Sequence, residues 1–321
     1  MLDIGIVRRE RRFRVATDST VQIIPSSMRP IASGSRDMLC FVADVWALTK
    51  PEINFLIAIT VLVGFLAARQ SLGLAFILQA VSATVGTLLV SSGGAALNQF
   101  MERRFDSHMR RTARRPLVTG VIAPRFALLF GATVSILGIV YIELWVNQLA
   151  ALIAGFALVI YLLAYTPLKR ITPFCTVVGA ISGAAPPLIG WAAASGSLNR
   201  GAWTFYTLLL LWQFPHFMAI AWMYRDDYER AGYRVLPENN RRLFTAMQAA
   251  IPAVLLIPVS LVPWFGETAK LFSVGVCLVG LGFAWLALRF ALKLNNVAAR
   301  QLLFASIVYL PIVFALLLFG K

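Results

Sequence analysis

Long apolar stretches separated by short charged segments dominate the chain. A membrane-spanning helix needs about 20 mostly apolar residues, a length that few elements of soluble proteins reach. Two of the stretches are short, but each follows a proline, Pro51 or Pro124, and proline suits the first turn of a helix. The alternation of polar and apolar residues that marks a membrane β-barrel is absent. We therefore predict an all-α polytopic membrane protein with nine transmembrane helices, in the uncharged segments 53–68, 70–101, 126–142, 144–168, 171–199, 201–224, 243–266, 271–288 and 301–320.

The composition shows a scarcity of charge together with an excess of bases. Only 13% of the 321 residues are charged, against roughly a quarter in a typical soluble protein. The net charge is +15, from 29 Lys and Arg and 14 Asp and Glu. Lys and Arg concentrate in cytoplasmic loops, so we predict a cytoplasmic N-terminus, an outward C-terminus and no nucleic-acid binding. Nine spans place most of the bases on one side, in segments 1–52, 102–125, 169–170, 225–242 and 289–300.

The first 44 residues differ from the rest, and we predict that they form a basic, disordered cytoplasmic tail that contacts anionic lipid. A mitochondrial transit peptide is the alternative, but Asp3, Glu10 and Asp18 argue against it because such peptides are poor in acids. Residues 45–321 then form the nine-helix membrane domain. The three cysteines, Cys40, Cys175 and Cys277, are scattered and predict neither a disulfide framework nor a metal site.

Oxygen-bearing side chains follow the second apolar stretch at regular spacing. If its helix continues to Asp106, then Asn98, Glu102 and Asp106 lie four residues apart on one face. Carboxylate and amide oxygens suit Mg²⁺, which completes its coordination with water and substrate phosphate. Arg111 and Arg115 come next, and guanidinium groups match phosphate oxygens. The alternative is a charged helix end whose acids simply pair with neighbouring arginines.

A second group of acids and arginines follows the sixth apolar stretch. Arg225, Asp226, Asp227 and Arg230 lie within six residues there, and Lys169 and Arg170 belong to the same predicted face. Two such groups on one face of the membrane indicate a single site that binds an anion. The ligand that fits best is a diphosphate held by Mg²⁺ and cations, with its hydrocarbon tail between the helices.

These motifs carry a resemblance to a known family. The segment Asn98-x3-Glu102-x3-Asp106-x2-Met109-x-Arg111-Thr112-x2-Arg115-Pro116-Leu117 resembles the first signature of the UbiA-type intramembrane prenyltransferases, and more narrowly their haem-farnesylating branch. The resemblance covers about residues 45–320. It continues through 165–170, 183–191, 212–216 and 225–232, which include Gln213-Phe-Pro-His216 and Asp226-Asp227-Tyr228.

The resemblance implies an enzyme, a transferase whose nine helices surround a central cavity open to the cytoplasmic side. Its substrates would be farnesyl diphosphate and haem B (protohaem IX), with Mg²⁺ as cofactor. The farnesyl group and a hydroxyl would add to the 2-vinyl group, giving haem O and diphosphate. Haem O is the precursor of haem A, which suggests haem A synthase as a protein partner. The implied location is a bacterial inner membrane, with the mitochondrial inner membrane as the alternative.

The resemblance also assigns roles to individual residues. Catalysis falls to Asn98, Glu102, Asp106, Asp226 and Asp227, of which all but Asp226 are expected to bind the metal. Diphosphate would be bound by Arg111, Arg115, Lys169, Arg170, Arg225 and Arg230. Haem would be bound by His216, Trp212 and Tyr228, because imidazole is a common axial ligand of haem iron. The alternative for His216 is a polar residue that hydrogen-bonds a neighbouring helix.

One departure from the family pattern concerns the second signature, which in relatives is usually Asp-x3-Asp. Tyr224 and Tyr228 occupy the corresponding positions here, with Asp226 and Asp227 between them. Adjacent residues on a helix point about 100° apart, so both acids can share one metal only where the helix bends or ends. We expect one to bind Mg²⁺ and the other to orient a basic residue, and favour Asp227 for the metal.

Two other functions fit parts of the sequence. A prenyltransferase for a quinone or chlorin precursor would share the diphosphate site but would not need His216. A transporter of an anionic lipid or metabolite belongs to a different class. Transporters commonly carry charges or broken helices at the membrane midplane, whereas the acids here gather at one surface.

Overall fold

The computed structural model describes residues 34–68, 73–262 and 270–319, and these residues form helices and turns without any strand. The helices, in chain order, are α1 Gly34–Leu48, α2 Pro51–Ala67, α3 Leu74–Asp106, α4 Pro124–Trp145, α5 Gln148–Leu168, α6 Cys175–Ser195, α7 Arg200–Met223, α8 Arg225–Arg230, α9 Arg241–Leu261, α10 Lys270–Lys293 and α11 Asn296–Phe319.

The long helices confirm the predicted membrane fold. Among the described residues, eight helices are long and apolar enough to cross a membrane, and every predicted stretch falls on a helix. The ninth span is a bent pair, Met38–Leu48 with Pro51–Ala67, whose two parts meet at 51°. Large apolar side chains such as Leu129, Phe156 and Phe304 are exposed, as expected for surfaces that face lipid. The chain is a multi-pass membrane protein.

The N-terminal boundary differs from the prediction. Residues 34–44, expected to belong to a disordered tail, are helical, because α1 begins at Gly34. The local sequence explains the difference, since 38–43 is an uninterrupted apolar run that can continue a helix. The rest of the predicted tail, residues 1–33, lies outside the described residues. From Phe41 onward the chain forms one compact unit.

Helices α2 and α6 contribute to both of the large hydrophobic cores. One core joins them to α7, α9, α10 and α11, and the other joins them to α3, α4 and α5. Glycines permit this close packing of α2 on α6. A Cβ at Gly64 would overlap the carbonyl oxygen of Pro187, and a Cβ at Gly190 would overlap that of Val61.

Prolines shape α6. The helix is interrupted at Ala184, where Cys175–Gly183 ends and Ala185–Ser195 begins. Pro186 and Pro187 occupy the first turn of the second piece, where a missing N–H leaves no hydrogen bond unmade. The two prolines therefore fit the break between the two pieces of α6.

Candidate active site

The C-terminal end of α3 carries three buried polar side chains on one face. Asn98, Glu102 and Asp106 are four residues apart, and none is more than 4% exposed. The helix ends at Asp106, which confirms its predicted continuation beyond the apolar stretch. The C-terminal end of a helix carries partial negative charge, so the carboxylates gain nothing from the helix dipole. Their burial therefore depends on nearby cations.

Lys169 is the cation that neutralises Glu102. Its Nζ donates to Glu102 Oε1 at 2.8 Å and lies 4.4 Å from the centre of the Tyr165 ring. Burial alone would lower the pKa of this ammonium group. The oxygens of Tyr165 and Glu102 outweigh burial and hold the pKa of Lys169 well above its ordinary value. Lys169 therefore carries its charge at neutral pH.

The end of α5 explains how Lys169 reaches this position. The helix widens into a π-helical segment, Ile160–Tyr165, which ends two residues before Pro167. Pro167 lacks an N–H and would clash with the carbonyl group four residues earlier, so a regular α-helix cannot continue through it. Such π segments are frequent at functional sites.

Asp106 has a partner on only one of its two oxygens. Arg115 Nη1 donates to Asp106 Oδ2 at 2.6 Å, and Thr112 Oγ1 donates to the main-chain oxygen of Asp106 at 2.8 Å. These contacts fold the loop 107–123 back onto the end of α3. Asp106 Oδ1 is buried and has no hydrogen-bond partner among the described residues. A carboxylate oxygen in that position is available to a hard cation.

Lys50 completes the group and was not predicted from the sequence. Its Nζ donates to Asn98 Oδ1 at 3.1 Å, while Asn98 Nδ2 donates to Thr166 Oγ1 at 3.1 Å. Lys50 lies in the break between α1 and α2 with a left-handed backbone, φ 53° and ψ 64°. Its position directly before the helix-starting Pro51 was the available signal. We name the set Lys50, Asn98, Glu102, Asp106, Arg115 and Lys169 the inner cluster.

Arg170 lies beside the inner cluster and keeps spare hydrogen-bonding capacity. Its Nη2 donates to the main-chain oxygen of Met101 at 3.4 Å, and its guanidinium carbon lies 3.7 Å from the centre of the Phe105 ring. Its Nε is buried without a hydrogen-bond partner in the described part of the chain. The structure therefore brings Arg115, Lys169 and Arg170 to the end of α3.

An open cleft of about 510 Å³ lies between the loop after α3 and the start of α8. Arg111 lines it and contacts two aromatic residues. Its Nη2 lies 3.5 Å from Tyr228 Oη, and its guanidinium carbon lies 5.2 Å from the centre of the Tyr224 ring. We name this cavity the outer cleft; its lining residues are Arg110, Arg111, Met223, Tyr224, Asp226, Asp227 and Arg230.

The two acids of the outer cleft each contact an arginine. Asp227 forms an ion pair with Arg230, and Asp226 lies 3.6 Å from Arg225. The helix does break here, because α7 ends at Met223 and α8 begins at Arg225. The side chain of Asp226 is 79% exposed and that of Asp227 only 14%. Which acid binds metal stays a prediction, and the deeper position of Asp227 agrees with our preference for it.

His216 lies outside the inner cluster and the outer cleft. Its ring stacks on Trp212, with ring centres 4.9 Å apart, and its Nδ1 lies 2.8 Å from Ser306 Oγ in α11. Trp212 Nε1 donates to the main-chain oxygen of Ser306 at 2.8 Å. Two of the three predicted haem contacts, His216 and Trp212, therefore lie together, whereas the third, Tyr228, lies beside Arg111.

The donor atoms of the inner cluster can be compared with those that a metal requires. No three His, Cys, Asp or Glu side chains form a metal centre within residues 34–68, 73–262 and 270–319. The end of α3 nevertheless combines two carboxylates and an amide oxygen, and one carboxylate oxygen, Asp106 Oδ1, has no hydrogen-bond partner in the described part of the chain. These are the donors that Mg²⁺ prefers when substrate phosphate supplies the remaining ligands. The residues at this end therefore fit a magnesium ion.

Comparison with known proteins identifies the family. A protoheme IX farnesyltransferase of Solibacter usitatus is 45% identical over 287 residues, covering 87% of this chain and 98% of that protein. One of Koribacter versatilis is 38% identical and covers 92% and 99%. The fold and the sequence are those of an intramembrane prenyltransferase. The chain belongs to the UbiA prenyltransferase family, whose model matches residues 57–316.

A solved structure supports the same fold. A UbiA homologue from Archaeoglobus fulgidus, bound to GPP and Mg²⁺, superposes with a TM-score of 0.61. The match covers 85% of this chain and 99% of the homologue, at 17% sequence identity. The helical architecture is therefore shared even where the sequences have diverged.

Proposed function

We propose that this chain transfers the farnesyl group of farnesyl diphosphate to the 2-vinyl group of protohaem IX, giving haem O and diphosphate. The observation that carries the proposal is the inner cluster, in which buried oxygen ligands and cations meet at the end of α3. The identity of the acceptor is inferred from the relatives named protoheme IX farnesyltransferase, which match nearly their whole length.

The diphosphate is the leaving group that the inner cluster suits. Farnesyl transfer begins when the bond between C1 and the diphosphate oxygen breaks and its electron pair stays on the diphosphate. Fixed cations in a site with little water lower the free energy of that charge. Lys50, Arg115, Lys169 and Arg170 are proposed to bind the diphosphate oxygens.

Mg²⁺ is the proposed cofactor. Asn98, Glu102 and Asp106 would hold it, with Asp227 of α8 as a further ligand. When bound, the ion neutralises charge that develops on the diphosphate oxygens. The A. fulgidus homologue, a complex with GPP and Mg²⁺, supports a magnesium-dependent reaction in this fold.

The acceptor step forms a carbon–carbon bond. The terminal vinyl carbon of haem donates its π electrons to farnesyl C1, which leaves a cation on the carbon next to the porphyrin ring. Water adds to that carbon and loses a proton, so the product gains a hydroxyl group.

Orientation and partners complete the proposal. The loops that carry the inner cluster and the outer cleft are proposed to face the cytoplasm of a bacterium, together with the N-terminus. Thiol labelling of Ser107→Cys in inverted vesicles, in a variant without native cysteines, tests this orientation; labelling only from the periplasmic side would reverse it.

Haem A synthase is the proposed recipient of haem O, and failure of the two proteins to co-purify would count against direct transfer.

The decisive experiment incubates the purified protein with haem B, farnesyl diphosphate and Mg²⁺ and identifies the products by mass spectrometry. We expect the mass of haem O, which exceeds that of haem B by one farnesyl group and one hydroxyl group. A parallel incubation with a hydroxybenzoate acceptor tests the quinone-precursor alternative. Prenylation of that acceptor without formation of haem O would overturn the proposal.

A further inference from the structure

The outer cleft contains two arginines that the diphosphate site does not use. Arg110 and Arg111 line the cleft, and both are exposed. Five ion pairs occur among the described residues, and neither of these arginines takes part in one. The contacts of Arg111 are with an aromatic ring and a phenol oxygen. The guanidinium groups of these two consecutive residues have no acidic partner in the described part of the chain and can bind an anion.

The charge of the cleft favours an anionic ligand. Its two acids are compensated, since Asp227 pairs with Arg230 and Asp226 lies against Arg225. The uncompensated charges of the lining are those of Arg110 and Arg111. Met223 and Tyr224 add an apolar and an aromatic surface to the same cavity. A few charged groups beside such surfaces are typical of sites for flat organic ligands with polar edges.

The two proposed substrates carry different anionic groups. Farnesyl diphosphate carries phosphates, for which the inner cluster provides cations next to the carboxylates of α3. Protohaem carries two propionate carboxylates on the edge of the ring away from the 2-vinyl group. Guanidinium groups bind carboxylates through paired, charge-assisted hydrogen bonds.

We infer that the outer cleft binds the propionate carboxylates of the haem acceptor through Arg111 and Arg110. This inference rests on the proposed function and changes one expectation from the sequence, since Arg111 then binds the acceptor rather than the diphosphate. Propionates held in the open cleft turn the opposite, vinyl-bearing edge of the porphyrin inward. The site thereby selects which edge of haem meets the farnesyl cation.

Substitution combined with a modified substrate tests the inference. Arg111→Gln and Arg110→Gln remove the charges, and Arg114→Gln removes an exposed arginine of the same loop that does not line the cleft. We expect Arg111→Gln to raise the KM for haem by about 10-fold or more, while the KM for farnesyl diphosphate changes less than about twofold. Arg114→Gln should change neither constant.

Protohaem IX dimethyl ester, which lacks the carboxylate charges, identifies the group that is recognised. Esterification should weaken haem binding to the unsubstituted protein and to Arg114→Gln, and should have little further effect on Arg111→Gln. Equal effects of esterification in all three proteins would overturn the inference. A rise in the KM for farnesyl diphosphate alone would return Arg111 to the diphosphate site.

Absorbance titration of haem and its ester separates this inference from the proposed function. If no haem O forms but haem binding depends on Arg111 and on free propionates, the proposed function fails and the binding site stands. If haem O forms but haem binding depends neither on Arg111 nor on free propionates, the proposed function stands and the inference fails. Arg110→Gln provides an independent variant should Arg111→Gln not fold.

Discussion

Ser306 fixes which nitrogen of His216 carries the proton. Ser306 Oγ lies 2.6 Å from the main-chain oxygen of Leu303 and 2.8 Å from His216 Nδ1. A carbonyl oxygen cannot donate, so the single hydroxyl hydrogen must point to Leu303. His216 Nδ1–H therefore donates to Ser306, which leaves the lone pair of a neutral ring on Nε2.

The His216 tautomer can be measured directly. The chain has only two histidines, so His108→Gln leaves His216 as the single histidine. In a ¹⁵N-histidine sample of that variant, we expect the nitrogen shifts of a neutral ring protonated at Nδ1. Ser306→Ala removes the acceptor and should mix the two tautomers. A spectrum of His108→Gln dominated by the Nε2–H form would contradict the assignment.

Removal of the His216 ring tests its proposed role as the axial ligand of haem. A neutral imidazole with its lone pair on Nε2 is the form that binds iron. We expect His216→Ala to weaken haem binding by about 10-fold or more and to shift the Soret band, with the affinity for farnesyl diphosphate kept. His108→Ala is the matched control. An unchanged haem spectrum would leave His216 with only the packing role shown by its contacts with Trp212 and Ser306.

Loss of one carboxylate charge tests the metal site at the end of α3. Asp106→Asn keeps the size of the side chain but removes charge from the unpartnered Oδ1. We expect the rate of haem O formation to fall by about 100-fold or more, because fixed charge at the reacting phosphate is lost. Electron paramagnetic resonance of Mn²⁺ with farnesyl diphosphate should show weaker metal binding. Glu238→Gln, on an exposed loop, is the control; retained activity in Asp106→Asn would remove Asp106 from the site.

Lys50 is the member of the inner cluster whose role is least evident from the sequence. Lys50→Met removes the hydrogen-bond donor beside Asn98, and Lys50→Arg keeps a basic donor there. We expect the methionine variant to raise the KM for farnesyl diphosphate by about 10-fold and the arginine variant to raise it less. The KM for haem should stay constant in both. Lys293→Met, which removes an exposed lysine at the end of α10, is the control and should leave the KM for farnesyl diphosphate unchanged. An equally unchanged KM in Lys50→Met would contradict a role of Lys50 in binding farnesyl diphosphate.

The local part of the site could be predicted from the sequence. Asn98, Glu102 and Asp106 belong to one helix, and the spacing of four residues alone places them on one face. Hydropathy is likewise a local property, so the apolar stretches predict the membrane helices. Asp226 and Asp227 can share one metal ion only where the helix bends or ends, and the helix does break beside them, at Tyr224.

The remaining part of the site depends on tertiary packing. Lys50 precedes Asn98 by 48 residues and meets it only because α2 packs beside α3. Arg111 and Arg115 are four residues apart and would share a face in a helix. The chain between them forms turns, so Arg115 reaches Asp106 while Arg111 reaches Tyr228. A spacing rule that holds on a helix fails on the loop that follows it.

Gly190 links the packing of α2 to the position of Lys50. A Cβ in Gly190→Ala would overlap the main-chain oxygen of Val61, so α2 must move or the side chain must be strained. We expect a loss of about 1–3 kcal/mol in the free energy of unfolding, measured in detergent. Gly282→Ala is the matched control, because a Cβ there meets no atom within 4 Å and alanine favours the helix. Lys50 precedes the first residue of α2, so a shift of α2 should also raise the KM for farnesyl diphosphate. Equal stability of the two variants would show that the contact between α2 and α6 does not require glycine.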